Sequence, residues 1–390
     1  MKPRTLSAAI GAALLILTMA AFVRAPLLPD LGREIGMSAI GLGLMGSVFA
    51  LGRLLADLPA GRVADRTKPA RMMAASAAIV AVGSVVMAIA GNEAWIYVSA
   101  LLLGVGSTFV LTTGMSHFAR APKKRRGMAM SAFAGWLLAG QSFGPAVGGI
   151  LADSFDWRWS LGAAGVAAAL VAVGLWLLPV GTIATGEEST GSGEQVDEHL
   201  KNPSRQAIAF LYLLPAVQFA LGGAILQTLV PIVADGELAI GPATVGLALG
   251  VGGVARLAGA LVAGQVTDRV SRRWALVPSQ VIQAAGVAVF AMATTRALWL
   301  VAILLMTFGS VGVHVGATIL ADLSEASTLG RRLGVFRFTG DAAFMVAPAL
   351  SGWLYSTSGR VWATVPMLVL AVVVAAGVTL WVPETASDRT

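Results

Sequence analysis

The chain has 390 residues, of which 57% are hydrophobic and 12% are charged, and its mean hydropathy is +0.80. This composition leaves too little polar surface for a water-soluble protein of this size, so lipid is the expected solvent for most of the chain. The net charge of +7 does not indicate nucleic-acid binding, because the basic residues form short blocks between apolar runs. The absence of cysteine excludes disulfides, thiolate metal sites and cysteine nucleophiles.

Twelve apolar segments are long enough to cross a bilayer as helices, which takes about 20 residues each. Lipid favours helices over isolated strands, because a helix satisfies its backbone hydrogen bonds internally. The pattern predicts an all-α integral membrane protein with six transmembrane helices in each half. The segments lie near residues 6–28, 39–60, 72–90, 95–118, 128–151, 160–179, 207–233, 242–264, 276–294, 297–320, 333–355 and 361–382. The first could be a secretory signal peptide, but its length favours a transmembrane helix.

The distribution of basic residues predicts the orientation of these helices. Lysine and arginine cluster in the connections on the side of the N-terminus, most densely at Lys123-Lys124-Arg125-Arg126, whereas the opposite side carries few. Cytoplasmic loops of membrane proteins are enriched in basic residues, so both termini are expected in the cytoplasm. The bias toward arginine, alanine and glycine suggests a bacterium with GC-rich DNA, and hence the inner membrane as the location.

Many residues recur 203 positions apart. The first copy has Arg53, Gly61, Asp65, Arg66, Gly127, Phe133, Pro145, Gly149 and Trp159, and the second has Arg256, Gly264, Asp268, Arg269, Gly330, Phe336, Pro348, Gly352 and Trp362. One register over so long a stretch implies two equivalent halves that arose by internal duplication. The polar stretch from Gly181 to Ser204 cannot bury a core, so it is interpreted as a flexible connector, with an acidic regulatory site as the alternative. We expect bundles at 1–180 and 207–390 and a linker at 181–206.

The most specific part of this repeat is a Gly-x-x-x-Asp-Arg-x-x-x-x-Arg pattern. Its residues are Gly61, Asp65, Arg66 and Arg71 in the first copy and Gly264, Asp268, Arg269 and Arg273 in the second, where the last arginine comes one position early. With this pattern in both halves, the whole chain resembles the major facilitator superfamily (MFS), and within it the 12-helix drug:proton antiporter group.

The resemblance implies the MFS fold, with two pseudo-symmetric six-helix bundles and a latch formed by this motif. In the family the motif lies between helices 2 and 3, where Asp65 would meet the positive N-terminal end of helix 11 and hold the cytoplasmic side closed. Gly61 would permit a close approach of helix ends. The alternative is a solvated basic loop that only sets topology.

A second motif, in the fifth segment, resembles the glycine-proline motif of antiporters in this superfamily. It consists of Gly140, Gly144, Pro145, Gly148 and Gly149. Glycines four apart let two helix backbones touch, and proline frees a carbonyl and bends the helix. Two family features differ: the motif's earlier glycine is Ser131, and the arginine that drug antiporters often carry in helix 4 is Ala100. Ordinary glycine packing is the alternative.

Charged residues within membrane segments are costly and therefore candidates for function. Arg53 and Asp57 are four apart in the second segment, and Arg337 and Asp341 are four apart in the eleventh. We hypothesise a cytoplasmic gate in which Arg53 pairs with Asp341 and Asp57 pairs with Arg337, and which protonation of a carboxylate weakens. The alternatives are pairing within each helix and a role in substrate binding.

Comparison of the two halves selects the candidate proton site. Asp57 corresponds to Ala260, and Asp341 corresponds to Leu138, so the acids have no counterpart in the other copy. Asp341 is therefore the first candidate for the coupling proton site and Asp57 is the second. His314 is either a further proton carrier or a histidine satisfied by hydrogen bonding.

Five more residues are candidates for a central substrate cavity. They are Arg24, Trp136, Gln141, Gln218 and Gln227. Arg24 would attract an anionic substrate, or it would snorkel to the interface. The glutamines and Trp136 would supply hydrogen bonds and an aromatic wall, with helix packing as the alternative role.

These observations predict a secondary transporter that exports a small, fairly apolar or drug-like compound in exchange for protons. The alternatives are a proton-coupled importer or facilitator of a polar or anionic metabolite, and a receptor or scaffold that does not transport. We expect no enzyme activity, because the segments lack a metal-ligand cluster and a nucleophile with a base. The expected partners are a small-molecule substrate, protons and the bilayer, with no nucleic acid, cofactor or metal, and the expected state is a monomer. The sequence has no nucleotide-binding loop of the Gly-x-x-x-x-Gly-Lys-Ser/Thr type, so ATP is not expected to drive transport.

Overall fold

The structure, a computed structural model, describes residues 3–178, 204–324 and 326–384. These residues are almost entirely helical and contain no β-strand. The helices are α1 (Pro3–Phe22), α2 (Leu28–Ile35), α3 (Ala39–Arg66), α4 (Pro69–Ala88), α5 (Glu93–Ala119), α6 (Lys123–Ser154), α7 (Trp157–Leu177), α8 (Arg205–Ala220), α9 (Val230–Leu238), α10 (Pro242–Arg269), α11 (Arg272–Ala291), α12 (Arg296–Gly309), α13 (Gly312–Asp322) and α14 (Ala326–Trp381). A 3₁₀ turn (Ala25–Leu27) joins α1 to α2, and a π-helical segment (Leu221–Leu229) joins α8 to α9. The all-α prediction is therefore confirmed.

Ten helical stretches in the described residues are long and apolar enough to cross a membrane. One of them, Arg331–Trp381, runs over 51 residues and contains Gly359 with φ 79° and ψ 179°, which interrupts the helical backbone of α14. A positive φ of this kind favours glycine, because a Cβ would clash with the backbone. The count of twelve helices and the cytoplasmic placement of both termini stay predictions.

The helices form two units. Unit 1 contains the described parts of residues 1–188 together with 230–250, and unit 2 contains the described parts of 189–229 and 251–390. In unit 1, α1 packs on α6, α3 on α5, and α4 on both α5 and α7, while α9 packs on α2. In unit 2, α14 packs along α8 and α11, and α11 packs on α12. Of the linker predicted at 181–206, only residues 204–206 lie in the described part, so these boundaries stay predictions.

Side-chain caps fix where several helices begin. In each case an oxygen of the capping side chain accepts a hydrogen bond from a backbone N–H in the first turn. The capping residues are Ser38, Asn92, Asp156, Ser204, Ser271 and Thr295. Such a cap contributes roughly 1 kcal/mol to helix stability. Short polar connections between apolar segments therefore define the helix starts.

Glycines allow α3 and α5 to cross in backbone contact. A Cβ added at Gly52 would lie 2.4 Å from the carbonyl oxygen of Leu101, and one added at Gly104 would lie 2.1 Å from that of Phe49. In the second half, a Cβ at Gly259 of α10 would lie 2.3 Å from the carbonyl oxygen of Phe308 in α12. Such close approaches are how helices associate in lipid, where the hydrophobic effect does not drive them together.

Arginine side chains close the free carbonyl ends of helices at equivalent places in the two halves. Arg158 Nη1 donates to the carbonyl oxygens of Ala88 and Ala90, at 2.7 and 3.1 Å. In the second half, Arg360 Nη1 donates to the carbonyl oxygen of Ala293, which follows Ala90 by 203 positions. The last carbonyls of a helix have no partner within the helix, so an arginine placed there satisfies them.

A second pair of arginines repeats this arrangement. Arg71 donates to the carbonyl oxygen of Trp176, and Arg273 donates to that of Thr379. Trp176 and Thr379 are again 203 positions apart. The internal duplication deduced from the sequence is therefore also present in the side-chain contacts.

A buried amide pair lies in the interior of unit 2. Gln218 on α8 and Gln283 on α11 exchange two hydrogen bonds between their side chains, at 2.6 and 2.9 Å. Their exposures are 8% and 2%, so water cannot replace either partner. A buried amide costs free energy unless it is hydrogen-bonded, and each glutamine supplies what the other needs.

We predict that Gln218→Leu lowers the free energy of unfolding by about 1–3 kcal/mol, because it leaves the buried amide of Gln283 without its partner. The double variant Gln218→Leu/Gln283→Leu should regain most of this loss, since no amide is then stranded. Gln227→Leu is the matched control, because the half-buried Gln227 makes no hydrogen bond within the described residues. Thermal unfolding in detergent measures all three. A double variant less stable than Gln218→Leu would contradict the pairing.

Candidate functional site

The latch motif lies at the ends of α3 and α10. Gly61 and Gly264 occupy the last turns of these helices, and a Cβ added at either would have no described atom within 4 Å beyond its own helical turn. Arg66 and Arg269 are the last residues of the two helices and are exposed. The side chains of Asp65 and Asp268 lie outside what the structure describes. The latch therefore stays a prediction.

Arg71, the last residue of the first motif, binds within unit 1. Its guanidinium lies 4.4 Å from the centre of the Trp176 ring, and it donates to the carbonyl oxygen of the same residue at the end of α7. In the second copy, the backbone N–H groups of Arg272 and Arg273 donate to Glu384, at 3.1 and 3.3 Å. The final arginines of the motif thus tie the start of one helix to the end of another.

The glycine-proline motif on α6 makes backbone contacts with α1. Cβ atoms added at Gly140, Gly144 and Gly148 would lie 2.8, 2.6 and 2.4 Å from the carbonyl oxygens of Leu15, Met19 and Val23, respectively. The spacing of four residues places all three glycines on one face of the helix. This face is therefore a continuous strip against which α1 lies.

The rest of the motif contacts α10. A Cβ added at Gly149 would lie 2.2 Å from the carbonyl oxygen of Pro242, and one added at Gly246 would lie 2.2 Å from that of Pro145. Both contacts lie within unit 1, which includes the first turns of α10. The motif therefore fits α6 against two helices at once.

Ion pairs join the polar ends of several helices in unit 1. Arg33 Nη1 donates to both carboxylate oxygens of Asp235, at 2.9 and 2.7 Å, and Arg33 also pairs with Asp30. Arg158 pairs with Glu34 at 2.7 Å. The sequence analysis did not single out these acids, because only the fold brings α2 beside α9 and α7.

The charged residues on α14 form a local pair. Arg337 Nε lies 3.7 Å from Asp341 Oδ2, one helical turn away. Asp341 is fully buried, with an exposure of 0%, whereas the side chain of Arg337 is 36% exposed. Within unit 2 the acid therefore has the pairing within one helix that was an alternative to the gate. The gate pairs join residues of different units and stay predictions.

The other candidate charges lie on α3 in unit 1 and on α13 in unit 2. Arg53 and Asp57 are half-buried on α3. His314 on α13 is exposed and is close enough to Arg256 on α10 for an electrostatic interaction. Asp322 at the end of α13 pairs with Arg272.

Arg24 lies between α1 and the 3₁₀ turn, and its side chain is buried with an exposure of 4%. The guanidinium carbon lies 3.8 Å from the centre of the Phe49 ring, and Arg53 is close enough to repel it electrostatically. Phe49, which the sequence analysis missed, lies one helical turn before Arg53 on α3, and that spacing was the one signal that could have found it.

The remaining cavity candidates lie on α6 in unit 1, and on α8 and in the π-helical segment in unit 2. The indole of Trp136 packs on α1, where a Cβ added at Gly11 would lie 2.4 Å from Trp136 Nε1. Gln141 on α6 and Gln227 in the π-helical segment are half-buried. Gln218 is held by Gln283, as described above. No group of His, Asp or Glu in the described residues has an arrangement that would hold a metal ion.

Comparisons with known proteins agree with these features. The sequence profile of the Major Facilitator Superfamily matches residues 10–236 and 212–390. The Chloramphenicol resistance protein of Streptomyces lividans is 27% identical over 374 residues, which cover 91% of each chain. YwtG of Bacillus subtilis is 29% identical over 163 residues, which cover 40% of this chain and 35% of YwtG, so this match spans only about a third of that relative.

Among solved structures, a bacterial homolog of the human lysosomal transporter Spinster, in an inward-facing and occupied conformation, has a similar fold. Its TM-score is 0.77 with 14% identity, and the match covers 97% of each chain. At this identity the likeness shows the fold alone. The predicted MFS fold and the multi-pass membrane location are confirmed. The chain therefore belongs to the Major Facilitator Superfamily.

Proposed function

We propose that the protein exports a small, fairly apolar or drug-like compound in exchange for protons. The observation that carries this proposal is Asp341, a carboxylate of 0% exposure within a membrane-spanning stretch of α14. The nearby cation is Arg337, one helical turn away on the same helix. An ionisable residue inside the membrane is a candidate for a proton relay.

Two further observations support export. The Chloramphenicol resistance protein of Streptomyces lividans matches over 91% of both chains, and its name describes resistance to a drug. The glycine-proline motif, which resembles that of antiporters, fits α6 against α1 and α10 in backbone contact. Such a contact leaves little room for solvent between the helices.

We further propose that Asp341 exchanges its cationic partner during transport. Arg337 is its partner within α14, at 3.7 Å, and Arg53 would replace it when the cytoplasmic gate closes. Asp57 would then pair with Arg337, so that each acid keeps a cation in both states. Proton binding to Asp341 would weaken the gate and favour opening toward the cytoplasm. The latch formed by Asp65, Asp268 and their neighbours would act on the same side.

A second candidate is the import of a polar or anionic metabolite. It is favoured by Arg24, a buried cation within a membrane-spanning stretch. Export and import differ in the direction of substrate movement under a given proton gradient, which one experiment measures.

In proteoliposomes with an imposed pH gradient, screened over compound classes, we expect compounds to move against the direction of proton flow. Asp341→Asn should abolish accumulation driven by the gradient while it preserves equilibration down a substrate gradient, because the variant cannot release a proton. Asp153→Asn, which removes an exposed acid at the C-terminal end of α6, is the control and should transport normally. Wild-type transport that is indifferent to the pH gradient would rule out proton antiport.

Charge exchange tests the gate. Arg53→Asp and Asp341→Arg should each reduce transport at least tenfold, because each brings like charges together, and the double variant should recover part of the activity. The matched control is the exchange Arg337→Asp/Asp341→Arg. It preserves the pair within α14 but places like charges opposite each other in the proposed pairs between helices. Recovery in this control and none in the first double variant would show that pairing within the helix is what transport needs.

A further inference from the structure

Arg24 is a buried cation in unit 1 that differs from the arginines with structural roles in the same unit. Arg33 and Arg158 lie near the ends of helices and pair with Asp235 and Glu34. Arg24 is buried to 4% exposure inside the membrane-spanning stretch Thr5–Ile35. Its Nη1 atom has no hydrogen-bond partner, and no carboxylate pairs with it within residues 3–178, 204–324 and 326–384.

The surroundings of Arg24 add to its positive potential. Arg53 on α3 is close enough for electrostatic repulsion. The face of the Phe49 ring lies 3.8 Å from the guanidinium carbon, and it stabilises and orients the cation without neutralising it. Arginine stays charged in proteins, and a buried charge without a counter-ion is strongly unfavourable. Arg24 therefore destabilises the fold, and a bound anion would reduce this destabilisation.

Arg24 and Phe49 both lie within membrane-spanning stretches, Thr5–Ile35 and Ala39–Asp57. At a rise of about 1.5 Å per residue, Arg24 lies roughly 17 Å from the end of its stretch at Ile35, and Phe49 lies roughly 15 Å from the start of its stretch at Ala39. An anion bound at Arg24 would therefore lie inside the membrane-spanning part of unit 1, and substrate sites of transporters built from repeats also lie within the membrane.

We propose that Arg24 binds a carboxylate or a similar monovalent anion, which its guanidinium holds while the ring of Phe49 supports the opposite face. That the anion belongs to the transported compound rests on the proposed function. The compound would then be a small organic acid with an apolar body, or a zwitterion. A free inorganic anion such as chloride has the same charge and is the other source.

The planar guanidinium matters as well as its charge. It presents parallel N–H groups that match a carboxylate, and it stacks on an aromatic ring, whereas the ammonium of lysine does neither. Arg24→Lys should therefore weaken anion binding about tenfold or more although the charge is kept. Arg24→Met should abolish it.

The test uses the purified full chain in nanodiscs of uncharged lipid and follows its melting temperature. The probes are benzoate, its neutral analogue benzamide, and chloride, each at constant sodium concentration. We expect benzoate to raise the melting temperature of the wild type and benzamide to leave it unchanged. Arg24→Met should lose the benzoate shift but should melt no lower than the wild type without anion, because it removes an uncompensated charge. Arg296→Met, which removes an exposed cation at the start of α12, should keep the shift.

The outcomes separate the sources of the anion. A benzoate shift without a chloride shift assigns the site to the carboxylate of an organic compound, and equal shifts assign it to a free anion. A benzoate shift that persists in Arg24→Met, or no shift with either anion, would overturn the proposal. If Arg24→Met does not fold, Arg24→Lys and Phe49→Leu take its place, and an unchanged affinity in both contradicts the site. Because this binding test uses no pH gradient, a failure of proton antiport would leave it standing, and the reverse also holds.

Discussion

Lipid offers a protein no hydrogen-bond donors or acceptors, and this constraint governs where the chain places every polar group. At helix ends, arginines satisfy the free carbonyl groups, as Arg158 does at Ala90 and Arg360 does at Ala293. In the interior, the amides of Gln218 and Gln283 satisfy each other. Charges that lie deep in the membrane destabilise the fold and are not needed to form it. We therefore assign these charges to transport.

The sequence was sufficient to predict those features of the fold that depend on composition and repetition. The all-α architecture follows from the hydropathy and the superfamily from the motif at Gly61 and Gly264, and the duplication has a counterpart in the arginine caps. Contacts across helices were not predictable in the same way, because they depend on the rotation of each helix about its axis. Phe49 beneath Arg24 and Gln283 beside Gln218 are two examples. The spacing of four residues did identify Arg337 and Asp341 as a possible local pair.

The internal duplication distinguishes contacts that hold the helices together from the residue proposed to couple transport to protons. The caps of helix ends occur in both halves, as the equivalent positions of Trp176 and Thr379 illustrate. Asp341 has no such counterpart, since the equivalent residue is Leu138. A duplicated gene can supply two copies of a structural contact, as the arginine caps show, whereas directional coupling needs a proton site on one side only. The asymmetric acid is therefore the place where proton binding and conformational change would meet.

The most direct test of this account is the number of protons that the purified protein releases when it binds a transported compound in weakly buffered detergent. If Asp341 is the coupling site, the wild type releases protons on binding, and Asp341→Asn binds the compound with no release. Proton release that is the same in Asp341→Asn as in the wild type would contradict the account.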